Sequence, residues 1–208
     1  MTPAHTANLA LHIGAGAVAL AIGFYVLANR KGTEQHRRLG RMFVRVTAVV
    51  CLSAAVGTVF FRFLPLFAVL TILVPYQLVG GWRSAITRDR GPTAFDALWT
   101  AVAIALSCAL VPVLLEASNG WSTVAKSTLA ALFVVLLYDT AKWLFPRQWF
   151  RSLWKYEHSY KLVSSQFGML SALVGNVVRV GQPWSQLLPS AVGVLVIGYY
   201  FWRLGRGR

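Results

Sequence analysis

The chain has 208 residues, 57% of them hydrophobic and only 12% charged, with a mean hydropathy of +0.59. Soluble domains carry about 25% charged residues, so a charge content near half of that excludes an ordinary water-soluble domain. The net charge of +14 does not point to nucleic acid, because the basic residues stand in short clusters between long apolar runs; the whole chain reads as one membrane domain, residues 1–208.

A hydrocarbon core of about 30 Å takes roughly 20 mostly apolar residues of helix. Span one, about 7–29, lies in an N-terminal stretch without Asp, Glu, Lys or Arg; with no basic residue before Arg30 it reads as a retained span rather than a cleaved signal. His12, Gly16, Ala19 and Gly23 share one of its faces, and that face is expected to turn into the bundle. Span two, about 41–61, is the uncharged run from Val46 to Phe61 extended backwards past Arg45, whose long stem snorkels toward the surface. Span three, about 63–82, holds Pro75 and Gln77, and span four covers about 96–116. Cys51 and Cys108 fall inside apolar runs and read as small packing residues, with no CxxC and no disulfide framework.

Span five is placed at about 124–145 although it contains Lys126 and Asp139. The distribution of positive charge decides for it. With span five, 17 of the 20 Lys and Arg residues collect on one side, leaving only Arg62, Lys126 and Arg179 on the other; without it the count is 10 against 10. The segment 146–156 follows Pro146 and alternates Arg147, Arg151 and Lys155 with Trp149, Phe150 and Trp154, the pattern of a short helix lying in the membrane interface. Span six, about 161–179, carries Ser164, Gln166, Gly168, Ser171, Gly175 and Asn176, and span seven covers about 182–203. The expected fold is an all-α polytopic bundle of seven spans with the N-terminus outside and the C-terminus in the cytoplasm. The basic face and the tryptophan-rich segment fit anionic lipids at the cytoplasmic surface; no protein partner is indicated.

The polar groups within the spans mark candidate sites, since such groups need partners or a wet cavity. Gln77, Gln166 and Asn176 are candidate cavity-lining residues, with His12 on the outer side of span one. His36 and His158 each precede a span that starts on the basic side, so they stand at similar depth. Together they are candidates for binding a haem, such as haem b, or a metal, or for hydrogen bonds to interfacial acids and lipid phosphates. Asp139 pairs locally with Lys142, and Arg45 is its expected cationic partner from span two, giving an inner cluster of Arg45, Asp139 and His158. No charged residue stands near the middle of a securely placed span, which weighs against an ion-driven pump. Nucleotide-loop, serine-hydrolase and zinc-protease motifs are lacking.

Residues 11–44, LHIGAGAVALAIGFYVLANRKGTEQHRRLGRMFV, resemble the opening of a bacterial membrane-protein family called domain of unknown function 2306, through His12, Gly16, Gly23, Lys31, Gly32, His36, Arg37 and Gly40. Residues 137–178 resemble its later part through Asp139, Trp154 and His158, with Ser159 and Tyr160 in place of a more basic run; residues 183–203 are similar as well. The resemblance implies bacterial origin and an inner-membrane location and supplies no substrate. Three functions stay open: an accessory or scaffolding membrane protein, a haem- or metal-binding redox protein, and a small-molecule transporter.

Overall fold

The computed structural model describes residues 2–116 and 122–206. They form seven α-helices and no strand among the described residues: α1 Pro3–Ala28, α2 Glu34–Val56, α3 Pro65–Thr87, α4 Ala94–Glu116, α5 Thr123–Ala141, α6 Phe150–Val177 and α7 Trp184–Arg206. Helix α2 closes in a π-helical turn at Gly57–Phe61, and 3-10 turns at Lys142–Leu144 and Arg147–Trp149 link α5 to α6. Successive helices run in opposite directions. One end of the bundle gathers the α1–α2 turn, the α3–α4 turn, the α5–α6 link and the end of α7; there Lys31 lies over the Tyr200 ring and Arg83 pairs with Asp96 at 2.6 Å. At the other end Asn8 donates to the Ser53 carbonyl at 3.1 Å and His5 stacks on Phe61.

The helix starts are locally encoded. Thr2, Thr33 and Ser122 each accept a backbone N–H of the first turn of α1, α2 and α5, the usual role of a hydroxyl at a helix N-cap. The tight turn between α1 and α2 needs Gly32, whose φ of 80° lies in the left-handed region.

Six helices are long and apolar enough to cross a membrane; α6 is not among them. At 28 residues it is the longest helix, but Lys161, Ser164, Ser165, Gln166, Ser171 and Asn176 lower its hydropathy. Its position explains this composition. It packs along α3 and α7 and touches α1, so most of these polar side chains meet protein, Asn176 excepted. Two apolar clusters flank it, one between α3, α4 and α5 around Leu132 and Leu114, the other between α1, α2, α3 and α6 around Ala19 and Val74.

Three expectations change. The segment 146–156 is not a separate interfacial helix: from Phe150 onward it is the start of α6. No Gly or Pro interrupts residues 150–161, and the first turns pack against the α3–α4 turn, with Phe150 against Gly91 and Arg88 over the Trp154 ring. The expected inward face of α1 turns in only partly: Ala19 and Gly23 are buried, but Gly16 has no neighbour within 4 Å of an added Cβ. Helix α2 begins at Glu34, well ahead of the apolar run, where the Thr33 side chain caps its first turn.

Close approach of α3 to α6 depends on Gly81, where an added Cβ would sit 2.9 Å from the Lys161 Cβ and 3.0 Å from the Leu162 Cγ. Gly81→Ala therefore destabilises the protein by about 1–3 kcal/mol through overpacking. Gly14→Ala, which meets nothing within 4 Å, leaves stability unchanged or slightly raised, as helix propensity favours alanine. Thermal unfolding of the two variants in detergent separates them; equal midpoints would refute the close approach.

Candidate functional site

The interior of the basic end holds four charged side chains almost out of contact with solvent: Asp139 from α5, Lys142 from the turn after it, and Glu157 and Lys161 from α6, the last only 1% exposed. Glu157 and Lys161 are one helical turn apart, so they share a face. Lys161 Nζ lies 2.7 Å from both Asp139 carboxylate oxygens. Lys142 Nζ bridges the two acids, at 3.1 Å from Asp139 and 3.4 Å from Glu157. Two acids and two lysines cancel, so the layer carries no net charge.

Hydroxyl groups complete the layer. Tyr76 donates to Asp139 at 2.6 Å and accepts from Thr100 at 2.9 Å. Tyr138 and Ser84 donate to the two oxygens of Glu157, at 2.9 Å and 3.0 Å. Each carboxylate thus has at least one cation and one hydroxyl, the pairing that a charge away from water requires. Gly80 and Gly81 leave the space through which the Lys161 stem passes: a Cβ on Gly80 would lie 3.1 Å from its Cδ and Nζ.

One cavity borders this layer, and a second lies further along the bundle. The first, toward the basic end, has about 20 Å³ and is lined by Ser84, Trp99, Thr100, Asp139, Glu157 and Lys161 among others. It has room for one water, which the buried and otherwise unpartnered Trp99 Nε1 suits. The second, a cleft of about 270 Å³, lies between α3, α5, α6 and α7. Its wall is mostly apolar, with Gln77, Ser127, Thr128, Ser164, Ser171, Gln186 and Ser190 as the polar lining and no charged residue. The cleft opens between α5 and α7, where Ser127, Ala131, Ser190 and Val194 are exposed. Its floor is close to the ion pairs: Gln77 adjoins Tyr76, and Ser164 stands three residues beyond Lys161.

The sequence-derived candidates separate. Gln77 lines the cleft. Gln166 instead donates to the Leu20 carbonyl at 3.0 Å and tethers α6 to α1, Asn176 is exposed and donates to Ala172 at 2.8 Å, and His12 bonds Ser53 Oγ at 3.0 Å to join α1 to α2. The cluster of Arg45, Asp139 and His158 does not form. Arg45 is exposed and is two residues from Phe43 and Thr47, which face the core; at 100° per residue that places it on the opposite side of α2. Asp139 pairs with Lys161 instead. The scarcity of charge inside the bundle also needs correcting, since Lys161 stands eleven residues into α6, about 16 Å along its axis.

His36 and His158 do come together, with ring centroids 6.4 Å apart and planes at 80°. His158 bonds the Gly81 carbonyl at 2.9 Å through Nδ1. Neither of the two cavities described above is lined by either histidine. Nearby, Lys31 donates to the Val26 and Leu27 carbonyls at 2.7 Å and 2.8 Å. Burial, with Arg203 close by, lowers its ammonium to about 8.

Lys161 was missed because it reads as one more basic residue at a span start. Two signals were present: the Glu157–Lys161 spacing, which continues a helix face inward, and the Gly80–Gly81 pair opposite it. Comparison with protein-family models, with curated proteins and with solved structures gives no match for this chain.

Removing one member of the Asp139–Lys161 pair leaves the other buried without its closest partner, a loss of about 3–5 kcal/mol for a buried pair. Asp139→Asn and Lys161→Met each lower the unfolding midpoint in detergent strongly, the double variant recovers part of the loss, and Arg45→Gln has little effect. Additive losses in the double variant would show that the two side chains do not depend on each other.

Proposed function

We infer that this chain is a small-molecule transporter of the membrane, with seven spans, the N-terminus outside and the C-terminus in the cytoplasm. The observation that carries the reading is the uncharged cleft of about 270 Å³, whose Gln77 and Ser164 stand next to Tyr76 and one turn from Lys161, with a one-water cavity bordering the layer of ion pairs. Transport by alternating access needs a binding cavity open to one side and a closed layer between it and the other. The cleft supplies the first, and Tyr76, Asp139 and Lys161 supply the second.

The orientation rests on the basic residues, which collect at the end that holds the ion pairs and so assign that end to the cytoplasm. Helix α6 counts as the seventh span, since a protein-surrounded helix tolerates polar residues that a lipid-facing one does not. The cleft then lies toward the outer half of the bundle, with its mouth between α5 and α7. Its hydroxyl and amide groups among apolar walls suit a small, uncharged, amphipathic solute. The resemblance of residues 11–44 and 137–178 to a bacterial family supports the inner membrane as the location. The basic stripe Arg37, Arg41 and Arg45 on the exposed face of α2 suits anionic lipid at the cytoplasmic surface.

Cysteine labelling tests cleft, layer and orientation together, in a background with Cys51 and Cys108 replaced by alanine. Ser190→Cys at the mouth and Ser164→Cys at the floor react with a membrane-impermeant thiol reagent added outside. Arg38→Cys and Arg151→Cys react only from the cytoplasmic side. Adding Lys161→Met makes Ser164→Cys reactive from the cytoplasm as well. A Ser164→Cys that resists the reagent from both sides removes the aqueous path and the transport reading with it.

A further inference from the structure

Helix α5 packs on α3 and α4, and α7 packs on α6, but α5 and α7 do not pack on each other. The cleft of about 270 Å³ reaches the surface through the gap between them, past Ser127 and Ala131 of α5 and Ser190 and Val194 of α7, all four exposed. Counted from Thr123 and Trp184, where these helices start, the four positions lie about 6–15 Å from the end of the bundle opposite the basic one. A hydrocarbon core is about 30 Å thick. On the proposed orientation, Ser127 at the upper edge of the mouth is therefore near the outer surface, while Ala131 and Val194 at its lower edge face the acyl chains of the outer leaflet. The flanks of the mouth are of the kind that meets lipid, with Val134, Leu137, Leu188 and Leu195 exposed.

Inside, the lining changes with depth. Leu70, Leu73, Phe167 and Ile197 form an apolar passage behind the mouth. Most hydroxyls of the outer part are already engaged: Ser171 with Ser190 at 2.8 Å, and Ser127 and Thr128 with the Val124 carbonyl. Gln77 and Ser164 stand at the deep end, about 18–20 Å from the outer ends of α3 and α6. Their side chains make no hydrogen bond to a described residue, and the Gln77 amide is only 5% exposed. An amide offers two donors and an acceptor, and one that is buried is seldom left without a partner. No carboxylate, ammonium or guanidinium lines the cleft, so nothing in it would balance the charge of a ligand.

The volume limits what enters. The cleft has the room of roughly nine waters at about 30 Å³ each, enough for one small head group and the first part of a chain but not for a phospholipid with two chains. A gap that continues into the bilayer lets the rest of a single chain stay outside.

We propose that the cleft takes single-chain lipids with an uncharged, hydrogen-bonding head group, which enter sideways from the outer leaflet between α5 and α7 and seat the head group on Gln77. The proposal rests on the transport reading for the placement of the cleft in the bilayer, and it adds the substrate class and the route. The head group exchanges its hydration for the Gln77 amide and the Ser164 hydroxyl, while the chain stays in apolar surroundings along Leu70, Leu73 and Phe167 and out through the mouth.

The test uses the full chain in vesicles of phosphatidylcholine and phosphatidylglycerol that contain a long-chain alcohol with a photoreactive diazirine in its tail. On illumination the alcohol labels the peptides that hold Ala131 and Val194, and an excess of plain alcohol abolishes this labelling. An alkyl trimethylammonium of the same chain length does not compete. Gln77→Leu, which keeps the volume and breaks no hydrogen bond, weakens the competable labelling roughly tenfold, the loss expected of one hydrogen bond of ordinary strength. Val194→Trp narrows the mouth and lowers the labelling as well. Leu195→Trp, on the neighbouring exposed residue that does not line the cleft, labels as the parent does. Labelling that plain alcohol does not remove, or that is unchanged in Gln77→Leu or in Val194→Trp, overturns the proposal, and so does equal competition by the cationic amphiphile. The thiol reaction of Ser164→Cys keeps the two readings apart. If the impermeant reagent reaches it from outside while the alcohol gives no competable labelling, the sideways route falls and transport from water stands. Competable labelling with an unreactive Ser164→Cys removes transport and leaves the lipid site.

Discussion

The ion pair of Lys161 and Asp139 constrains this bundle more than any other contact. A lysine that is 1% exposed survives only where an acid and well-placed hydrogen bonds replace its water. That requirement reaches several helices at once. It fixes the end of α5 against α6, draws the Tyr76 hydroxyl and its Thr100 partner into place, and demands that α3 offer glycines where the lysine stem passes. Lys142 and Glu157 extend the same demand to the α5–α6 link. The link is short and turns tightly because both of its ends are tied into one electrostatic layer.

The layer also accounts for the unusual composition of α6. In a bundle surrounded by lipid, the helices on the outside must be apolar and a helix enclosed by others need not be. Helix α6 is enclosed by α3, α7 and α1, and its charged and amide groups find partners on α3, α5 and α1. Polarity that would count against a span in an isolated segment is here the mark of centrality. Helix α4, the most apolar of the six long helices, has few buried residues, as expected of a helix whose outer surface would meet lipid.

This explains what the sequence made legible. Long uncharged runs located the helices because hydrocarbon excludes charge whatever the fold. The alternation of helix direction brings His36 and His158 to one end, and that alternation is legible from chain order alone. Pairing between helices was less visible. The choice of Lys161 over Arg45 as the partner of Asp139 depends on the rotation of α2, which Phe43 and Thr47 set by facing the core. Periodicity near the start of α2 was masked by four arginines. The 146–156 segment was misjudged for a related reason: its aromatic and basic residues look interfacial on their own, and only the α3–α4 turn, packed on Phe150 and Trp154, shows where they go.

A layer of two acids and two lysines behaves differently from an apolar plug. Its members balance one another, so it is closed and stable while all four are paired, yet its contacts are few and directional and are lost together when one partner moves. Apolar packing yields gradually, whereas a buried ion pair is either made or broken, because an intermediate separation leaves both charges without water and without each other. Placed beneath an uncharged cleft, such a layer suits a gate with two states. On the proposed transport cycle, a small shift of α6 against α5 would part Lys161 from Asp139, and the cavity of about 20 Å³ bordering the layer offers the first water to replace the lost partner. The same shift would also move the α6 wall of the cleft, Ser164, Gly168 and Ser171, against Gln77 and Leu73 of α3 and Ser190 and Gly193 of α7. An uncharged solute would then cross the layer without neutralising either side chain, and the pair could close again behind it.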